Sequence, residues 1–118
     1  MREPPAIDGF GGGGFRVAGV WRPGSLLIVA DAPQDWRPAT IEEVTLGDFQ
    51  PALIAPNGAV EFVLLGTGSR QTLPSAAIRD GLRGAGLGLE FMATDAAARL
   101  HNVLASQGRL FATALIAI

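Results

Sequence analysis

The second half of the chain alternates between short apolar runs and amphipathic stretches, and this alternation limits the fold more than any other feature. Segments 60–66, 87–92 and 109–118 are predicted to be strands, and segments 74–86 and 94–108 are predicted to be helices. Strands separated by helices at this spacing favour a sheet with crossover helices. We therefore predict that "VEFVLL" and "LGLEFM" are adjacent parallel strands of an α/β domain.

The first half of the chain is predicted to be β-structure. "FRVAGVW" (15–21) and "SLLIV" (25–29) are rich in Val, Leu and aromatic residues, and a turn signal lies between them at Arg22–Gly24. These two segments are therefore predicted to pair as a hairpin. The next segment, "DAPQDWRPA", contains Pro33 and Pro38 and is predicted to be an edge strand or a loop, because proline cannot donate to a sheet ladder.

Composition excludes several classes of protein. The 118 residues suffice for a single domain, residues 1–118, and the nine basic residues are all arginines scattered in a chain of net charge −2, which argues against a nucleic-acid partner. The chain has no Cys and one His, so no metal site is expected. No signal peptide or apolar run long enough to span a membrane is visible, and we expect a soluble cytoplasmic protein.

The glycine-rich stretch near the N-terminus matches a dinucleotide-binding pattern only in its letters. Gly9, Gly11 and Gly14 satisfy G-x-G-x-x-G, but that motif must follow a strand and open a helix. Here the following residues are strand-like. We therefore predict a bulge or turn at this point and expect no cofactor.

A second glycine signal, "GTGSR", stands where a ligand site is expected. It follows the apolar run 60–65, and open α/β sheets bind ligands at the carboxyl ends of their strands. Its amides and the Arg70 guanidinium are suited to an anion, whereas the alternative is a turn that only bends the chain. We expect chiefly a turn, with weak anion affinity as a second property. The candidate ligand-binding residues here are Gly66, Thr67, Gly68, Ser69 and Arg70.

The predicted helix 94–108 has a polar face that is a candidate protein-interaction surface. On a helical wheel Ala96, Ala97, Leu100, Val103 and Leu104 share one face, and the opposite face carries Asp95, Arg99, Asn102 and Ser106. A solvated face is the alternative. His101 lies between the faces without a nucleophile pattern or an acid placed to orient it, so we predict no catalytic residue.

Glu90 is an unusual acid because it lies within the apolar run 87–92. Leu89 and Phe91 alternate with it, so the carboxylate lies on the opposite face of the strand. A buried carboxylate needs a partner. We therefore predict a structural ion pair between Glu90 and an arginine, with Arg16, Arg70, Arg99 and Arg109 as the candidates.

Three blocks of the sequence together resemble a known family of small domains. "GFGGGGFRVAGVWRPGSLLIV", "FVLLGTGSRQTLP" and "LEFMATDAAARLHNVLASQGR" are similar to the Mth-like domain family, which includes the mitochondrial respiratory complex I assembly factor 3 and the adipogenesis-associated Mth-domain protein. The resemblance runs from about Ile7 onward. It departs from the family at Ala93, Ala98 and His101, where members often have Asp, Cys and Tyr, so no function is carried over on those positions.

The resemblance implies a three-layer α/β domain, with an N-terminal β-hairpin region and a mixed central sheet of about five strands. It also implies that the last strand lies antiparallel to its neighbours inside that sheet. On that topology Arg109, together with Thr94, reaches the same sheet edge as the Gly66–Arg70 turn and joins the candidate ligand site.

The family resemblance implies no enzymatic activity. The function we favour is a non-enzymatic accessory or assembly-type protein that binds a protein partner, which the sequence does not identify. The alternative is a small-ligand or anion-binding protein that uses the Gly66–Arg70 turn. The sequence does not define the oligomeric state.

Overall fold

The described part of the chain folds into two β-sheets and three layers. The computed structural model describes residues 4–118, and within them the strands are β1 (Ile7–Gly11), β2 (Gly14–Val17), β3 (Val20–Pro23), β4 (Ser25–Val29), β5 (Ala32–Trp36), β6 (Phe62–Gly66), β7 (Gly88–Met92) and β8 (Phe111–Leu115). The α-helices of this part of the chain are α1 (Gln50–Leu53), α2 (Ala76–Gly84) and α3 (Thr94–Ser106), and short 3-10 helices lie at Ile41–Glu43 and Leu46–Phe49.

The central sheet is five-stranded, with strand order β5-β4-β8-β6-β7. β6 is parallel to β7, with Phe62 opposite Gly88, so the predicted parallel pair of strands is confirmed. Helix α2 connects these two strands, as the alternation of apolar and amphipathic segments predicted. β5 lies at one edge of this sheet and contains Pro33, which agrees with its prediction as an edge strand or loop.

The predicted hairpin between segments 15–21 and 25–29 is wrong. Segment 15–21 contains its own reversal, because Ala18 and Gly19 have φ of 49° and 80° and connect β2 to β3. Both angles suit the type I′ turn, which matches the twist of two paired strands. β3 completes a three-stranded antiparallel sheet with β1 and β2, and Gly24, with φ of 84°, then directs the chain into the central sheet.

The direction of the last strand also differs from the expectation. β8 is antiparallel to β4 but parallel to β6, with Phe62 opposite Phe111. The reason is the crossover helix α3, which returns the chain from the end of β7 to the opposite end of the sheet before β8 begins. Arg109 therefore lies at the end of the sheet opposite to the Gly66–Arg70 turn.

The two faces of the central sheet are covered by different layers. Val63 and Leu65 of β6 pack on the side of α2 and the 3-10 helices, whereas Leu64 packs on the side of α3 and the three-stranded sheet. Leu64 and Leu65 are 0% exposed, so both faces of β6 are sealed. This is the mixed, three-layer α/β architecture that the family resemblance implied.

The buried face of α3 is rotated from the predicted one. Val103 is 49% exposed and Ala96 is exposed, although both were predicted to face the core. The residues that are buried are Thr94, Ala97, Ala98, His101 and Leu104. The helix contacts β1 as well as β6, so its covered surface is wider than one amphipathic stripe and includes polar side chains.

Candidate functional site

The Gly66–Arg70 turn begins where β6 ends, and its first amides are bonded within the protein. The Thr67 amide donates to the Met92 carbonyl at 2.8 Å, and the Gly68 amide donates to the Thr94 hydroxyl at 2.9 Å. An anion held by a glycine turn needs amides that face outward. These two amides face inward, so the turn is not an open nest for an anion.

Thr94 reaches this turn as predicted, but it lies inside the protein. It is 0% exposed, and its hydroxyl donates to the Ile116 carbonyl at 2.7 Å while it accepts from Gly68. The Thr94 amide donates to the Gly68 carbonyl at 2.8 Å. One side chain thus connects the ends of β6 and β8 to the start of α3, which is a structural task.

A cleft of about 440 Å³ nevertheless lies beside the turn. It is lined by the second part of the turn, by segment 39–42 and by segment 116–118. Ser69 and Arg70 are exposed at its border, and Arg70 and Glu42 are its charged residues. The structure therefore places the predicted residues Thr67, Gly68, Ser69 and Arg70 along one cleft.

Arg109 does not join this cleft, and its prediction as a ligand residue there is wrong. Because β8 is parallel to β6, Arg109 lies near the start of β6, where its guanidinium carbon is 5.1 Å from the centre of the Phe62 ring. This is a cation–π contact at the opposite end of the sheet.

The predicted polar face of α3 is divided between solvent and β1. Asp95 and Arg99 form an i,i+4 ion pair at 3.6 Å, and Arg99 also lies 5.4 Å from the centre of the Phe10 ring. Asn102 accepts from the Ile7 amide at 2.8 Å and donates to the Ile7 carbonyl at 2.9 Å. Asn102 therefore fixes β1 to the helix and is unsuited to contact a partner.

Ser106, at the end of the same face, is exposed and donates to the carbonyl of Val103 at 2.7 Å. This is a local bond within the last turn of α3. The residues of this face that stay predicted contacts for a protein partner are Asp95, Arg99 and Ser106.

His101 is a buried structural residue. It is 2% exposed, with Nδ1 2.7 Å from the Thr113 hydroxyl and Nε2 2.8 Å from the Pro5 carbonyl. Since a carbonyl only accepts, the neutral ring donates from Nε2 and accepts at Nδ1. Burial lowers the pKa of His101, and the Pro5 carbonyl and Asp31 carboxylate oppose that shift.

β7 forms the free edge of the central sheet beyond β6, and its backbone groups alternate in direction. The Gly88 amide donates to the Glu61 carbonyl at 3.0 Å, and the Met92 carbonyl accepts from Thr67 at 2.8 Å. Gly88, Glu90 and Met92 therefore turn their backbone groups toward β6. The amides and carbonyls of Leu89 and Phe91 point away from the sheet.

β3 forms one edge of the three-stranded sheet, and a proline occupies a position of β3 whose backbone faces away from that sheet. The Gly24 amide donates to the Gly13 carbonyl at 2.7 Å, so Gly24 and, by alternation, Arg22 face β2. Trp21 and Pro23 therefore face outward, and proline has no amide hydrogen to offer. A proline at this place is a known protection of sheet edges.

The edges formed by β5 and β1 are protected as well. β5 follows a two-residue turn after Val29, so Ala32 faces β4 and Pro33 faces outward. In β1 the Ile7 backbone is occupied by Asn102. Among the sheet edges of residues 4–118, β7 is thus the one with successive outward amides and neither a proline nor a capping side chain.

A cleft lies on each side of β7. On the α2 side a cleft of about 260 Å³ is lined by Arg79, Arg83, Leu87 and residues of β7. On the α3 side a cleft of about 320 Å³ is lined by Phe62, Glu90, Leu100, Leu104, Arg109 and neighbouring residues of β7. No motif in the sequence marks these clefts, because they depend on β7 being the last strand of the sheet.

Glu90 is exposed on β7, on the α3 side, and none of the ion pairs found within residues 4–118 includes it. The prediction of an arginine partner assumed a buried carboxylate. An exposed carboxylate is hydrated and needs no such partner. A group of three His, Asp or Glu side chains suited to a metal ion is also absent from the described part of the chain.

Within residues 4–118, these features define a small three-layer α/β domain with a mixed sheet, a closed carboxyl-end turn and one open sheet edge. The chain belongs to the family described as "Protein of unknown function (DUF498/DUF598)", whose model matches residues 7–116. The predicted membership in the Mth-like domain family is thereby confirmed.

Relatives of this chain include proteins of several bacteria. An uncharacterized protein of Rhodobacter capsulatus is 38% identical over 110 residues, which are 93% of this chain and 82% of that protein. The crystal structure of an outer membrane protein from Bartonella henselae has a TM-score of 0.87 at 30% identity, covering 97% of this chain and 95% of that one. A Mth938-like domain protein of Bordetella pertussis has a TM-score of 0.79 at 25% identity, covering 98% and 89%.

No helix within residues 4–118 is both long and apolar enough to cross a bilayer. The cytoplasmic location stays a prediction, since the Bartonella henselae protein is called an outer membrane protein.

Proposed function

We propose that this protein is a non-enzymatic binding protein that holds an extended segment of another protein along β7. The observation that carries the proposal is the pair of outward backbone units at Leu89 and Phe91 on an edge without proline. An unprotected edge strand is a template for a further strand. The prolines and the capping asparagine at the other edges support strand addition at β7 rather than at those edges.

The energy available at this edge suits a reversible contact. Leu89 and Phe91 offer an amide and a carbonyl each, and a net hydrogen bond contributes about 1 kcal/mol. Main-chain bonds alone are therefore too weak for stable binding, because association carries a large entropic cost. The two clefts beside β7 supply the additional burial of side chains that strand addition needs.

An accessory or assembly role is consistent with this binding mode. By family resemblance, the mitochondrial members include a respiratory complex I assembly factor, and a protein that holds a strand of an unassembled subunit would act in that way. The proposal for this chain is a class of activity, which is protein binding through β7. The most specific form of the proposal is that the partner belongs to a respiratory complex.

The test removes one outward amide without removing the ladder to β6. In Leu89→Pro the missing amide hydrogen points away from the sheet, so the fold is retained as it is at Pro33. Leu89→Ala is the matched control, because it removes the side chain and keeps the amide. Short peptides selected against the protein from a random library are expected to bind the wild type and Leu89→Ala, and to lose binding to Leu89→Pro. Selected peptides that bind Leu89→Pro as well as the wild type would contradict strand addition.

The cleft at the Gly66–Arg70 turn favours a second candidate, a small anionic ligand held by Arg70. Its support is the 440 Å³ volume beside an exposed guanidinium. Titration with phosphate, sulfate and nucleotides, followed by amide resonances, tests it. Saturable shifts at Ser69 and Arg70 that are lost in Arg70→Ala would support the site, and flat resonances would remove it.

A further inference from the structure

Resting on the proposed strand addition at β7, we infer that the partner is an extended segment whose side chains alternate between acidic and bulky apolar. It comes from a different protein and not from a second copy of this chain. The chemistry of the two clefts beside β7, and the charge on the strand itself, carry this inference.

The cleft on the α2 side favours acidic side chains, because its charged lining residues are both arginines, which lie beside Leu87, Leu89 and Phe91. Arg79 and Arg83 lie one turn apart on α2 and line it together. The Arg79 Nε donates to the Pro74 carbonyl at 3.0 Å, which holds this guanidinium beside the cleft. Arg83 lies 3.8 Å from Asp80, but both side chains are largely exposed, so the pair is weak. Two guanidinium groups at one strand edge favour carboxylates, which they bind in a bidentate manner.

The cleft on the α3 side favours apolar side chains, because its charged lining residues, Glu90 and Arg109, are of opposite sign and the rest of its large lining side chains are apolar. Phe62, Leu100 and Leu104 provide apolar surface, and the Phe62 ring is fixed by stacking on Phe111 with centroids 5.4 Å apart. The guanidinium of Arg109 covers the same ring, and Arg109 also lines the cleft. A bulky aliphatic or aromatic side chain fits such a surface.

The geometry of a strand combines these two preferences into one pattern. Successive side chains of an added strand point to opposite faces of the sheet. Residues facing α2 meet the arginines, and the residues between them meet the apolar cleft. The preferred segment therefore repeats acidic and bulky apolar residues with a period of two.

A second copy of this chain is disfavoured by Glu90. Two copies could pair through antiparallel β7 strands only with Leu89 of each copy bonded to Phe91 of the other, if both outward residues are used. Glu90 of one copy would then lie directly opposite Glu90 of the second copy. Like charges at directly opposed positions destabilise a strand pair. The same symmetry would bring Arg79 and Arg83 of both copies together. The charge of Glu90 thus opposes self-pairing, whereas the arginines on α2 favour acidic side chains on the other face of an added strand.

The experiment compares three peptides of about six residues, the usual length of a strand. One alternates Asp with Ile, one alternates Lys with Ile, and one has the Asp and Ile residues grouped in blocks. Binding is measured by fluorescence anisotropy, and hydrogen exchange at the Leu89 and Phe91 amides reports the place of binding. The alternating Asp peptide is expected to bind best and to protect both amides. Its affinity is expected to fall about fivefold in Arg79→Gln with Arg83→Gln, and to stay unchanged in Arg22→Gln, a distant arginine.

The outcomes separate the two levels of the proposal. If the three peptides protect the β7 amides with equal affinity, strand addition stands and the acidic-apolar preference is wrong. If no peptide protects these amides, strand addition itself is wrong and the preference falls with it. Protection of the Leu89 and Phe91 amides in a dimer of the wild-type chain would overturn the choice of a different protein as partner.

Discussion

A Cβ placed on Gly66 would lie 2.9 Å from the Thr94 hydroxyl oxygen, and 2.8 Å from a methyl carbon of Leu115. β6 ends against the first turn of α3, and hydrogen fits at this point where a methyl group does not. The φ of Gly66 is not positive, so the requirement for glycine at this position is steric and not conformational. Glycine is thus needed at the start of the turn because it lets α3 approach β6 closely. This role in packing is different from a role in binding a phosphate.

Gly66→Ala is therefore expected to destabilise the protein. Overpacking of a buried contact costs about 1–3 kcal/mol. Gly84→Ala is the matched control, since a Cβ there meets nothing within 4 Å and alanine favours a helix by about 0.5–1 kcal/mol. Urea unfolding of both variants checks this expectation, and equal midpoints for Gly66→Ala and the wild type would contradict it.

Thr94→Val removes a hydroxyl without changing the shape of the side chain. The Gly68 amide and the Ile116 carbonyl would each lose a buried partner, and an unsatisfied buried group costs about 1–3 kcal/mol. Thr72→Val is the control, because Thr72 is exposed and exposed substitutions usually stay within about 0.5 kcal/mol. Denaturant unfolding measures both, and two variants of equal stability would show that the Thr94 hydroxyl is dispensable.

His101 is expected to make stability depend on pH below neutrality. Burial holds its pKa in the folded protein below the usual value of 6.5, so the unfolded chain binds a proton that the folded one does not. The stability is complete above the unfolded pKa and is lost as pH falls from about 6.5 toward the lower folded pKa. The free energy of unfolding should therefore be lower at about pH 5.5 than at about pH 7.5.

Since the chain has one histidine, His101→Gln separates this contribution from that of the carboxylates. The variant is expected to lose the pH dependence in this window, whatever its absolute stability. The two free energies of unfolding come from chemical denaturation at each pH. A variant that keeps the wild-type difference between the two pH values would show that His101 is not its source.

Glu90→Val is expected to increase self-association through β7. The substitution removes the charge that opposes antiparallel pairing of two copies and adds a residue with high β-propensity. Sedimentation velocity over a concentration series measures the effect. Glu42→Val, an exposed glutamate outside the sheets, is the control and should sediment as the wild type does. Equal sedimentation of Glu90→Val and the wild type would show that Glu90 does not prevent self-association.

Local patterns in the sequence were sufficient for most elements of the second half. The apolar run 60–66 and the amphipathic helix 76–84 have clear periods, and their order predicts the parallel pairing of β6 with β7. The N-terminal hairpin was placed wrongly because Ala18–Gly19 is a weaker turn signal than Arg22–Gly24. The reversal at Ala18 requires a positive φ in a residue that seldom adopts it.

The candidate sites depended on topology, which local patterns do not define. Thr94 was placed at the correct sheet edge because it directly follows β7. Arg109 was placed at the wrong edge because its position depends on the direction of β8. Leu89 and Phe91 are candidates only because β7 is the outer strand of the sheet. Their hydrophobicity alone is equally typical of a central strand.

Hydrogen exchange at the β7 amides tests the central claim most directly. In the free protein the amides of Leu89 and Phe91 should exchange faster than that of Glu90, which faces β6. Saturation with the alternating Asp–Ile peptide should slow exchange at Leu89 and Phe91 and leave Glu90 almost unchanged. Amides at Leu89 and Phe91 that exchange equally fast with and without a saturating peptide would contradict strand addition at β7.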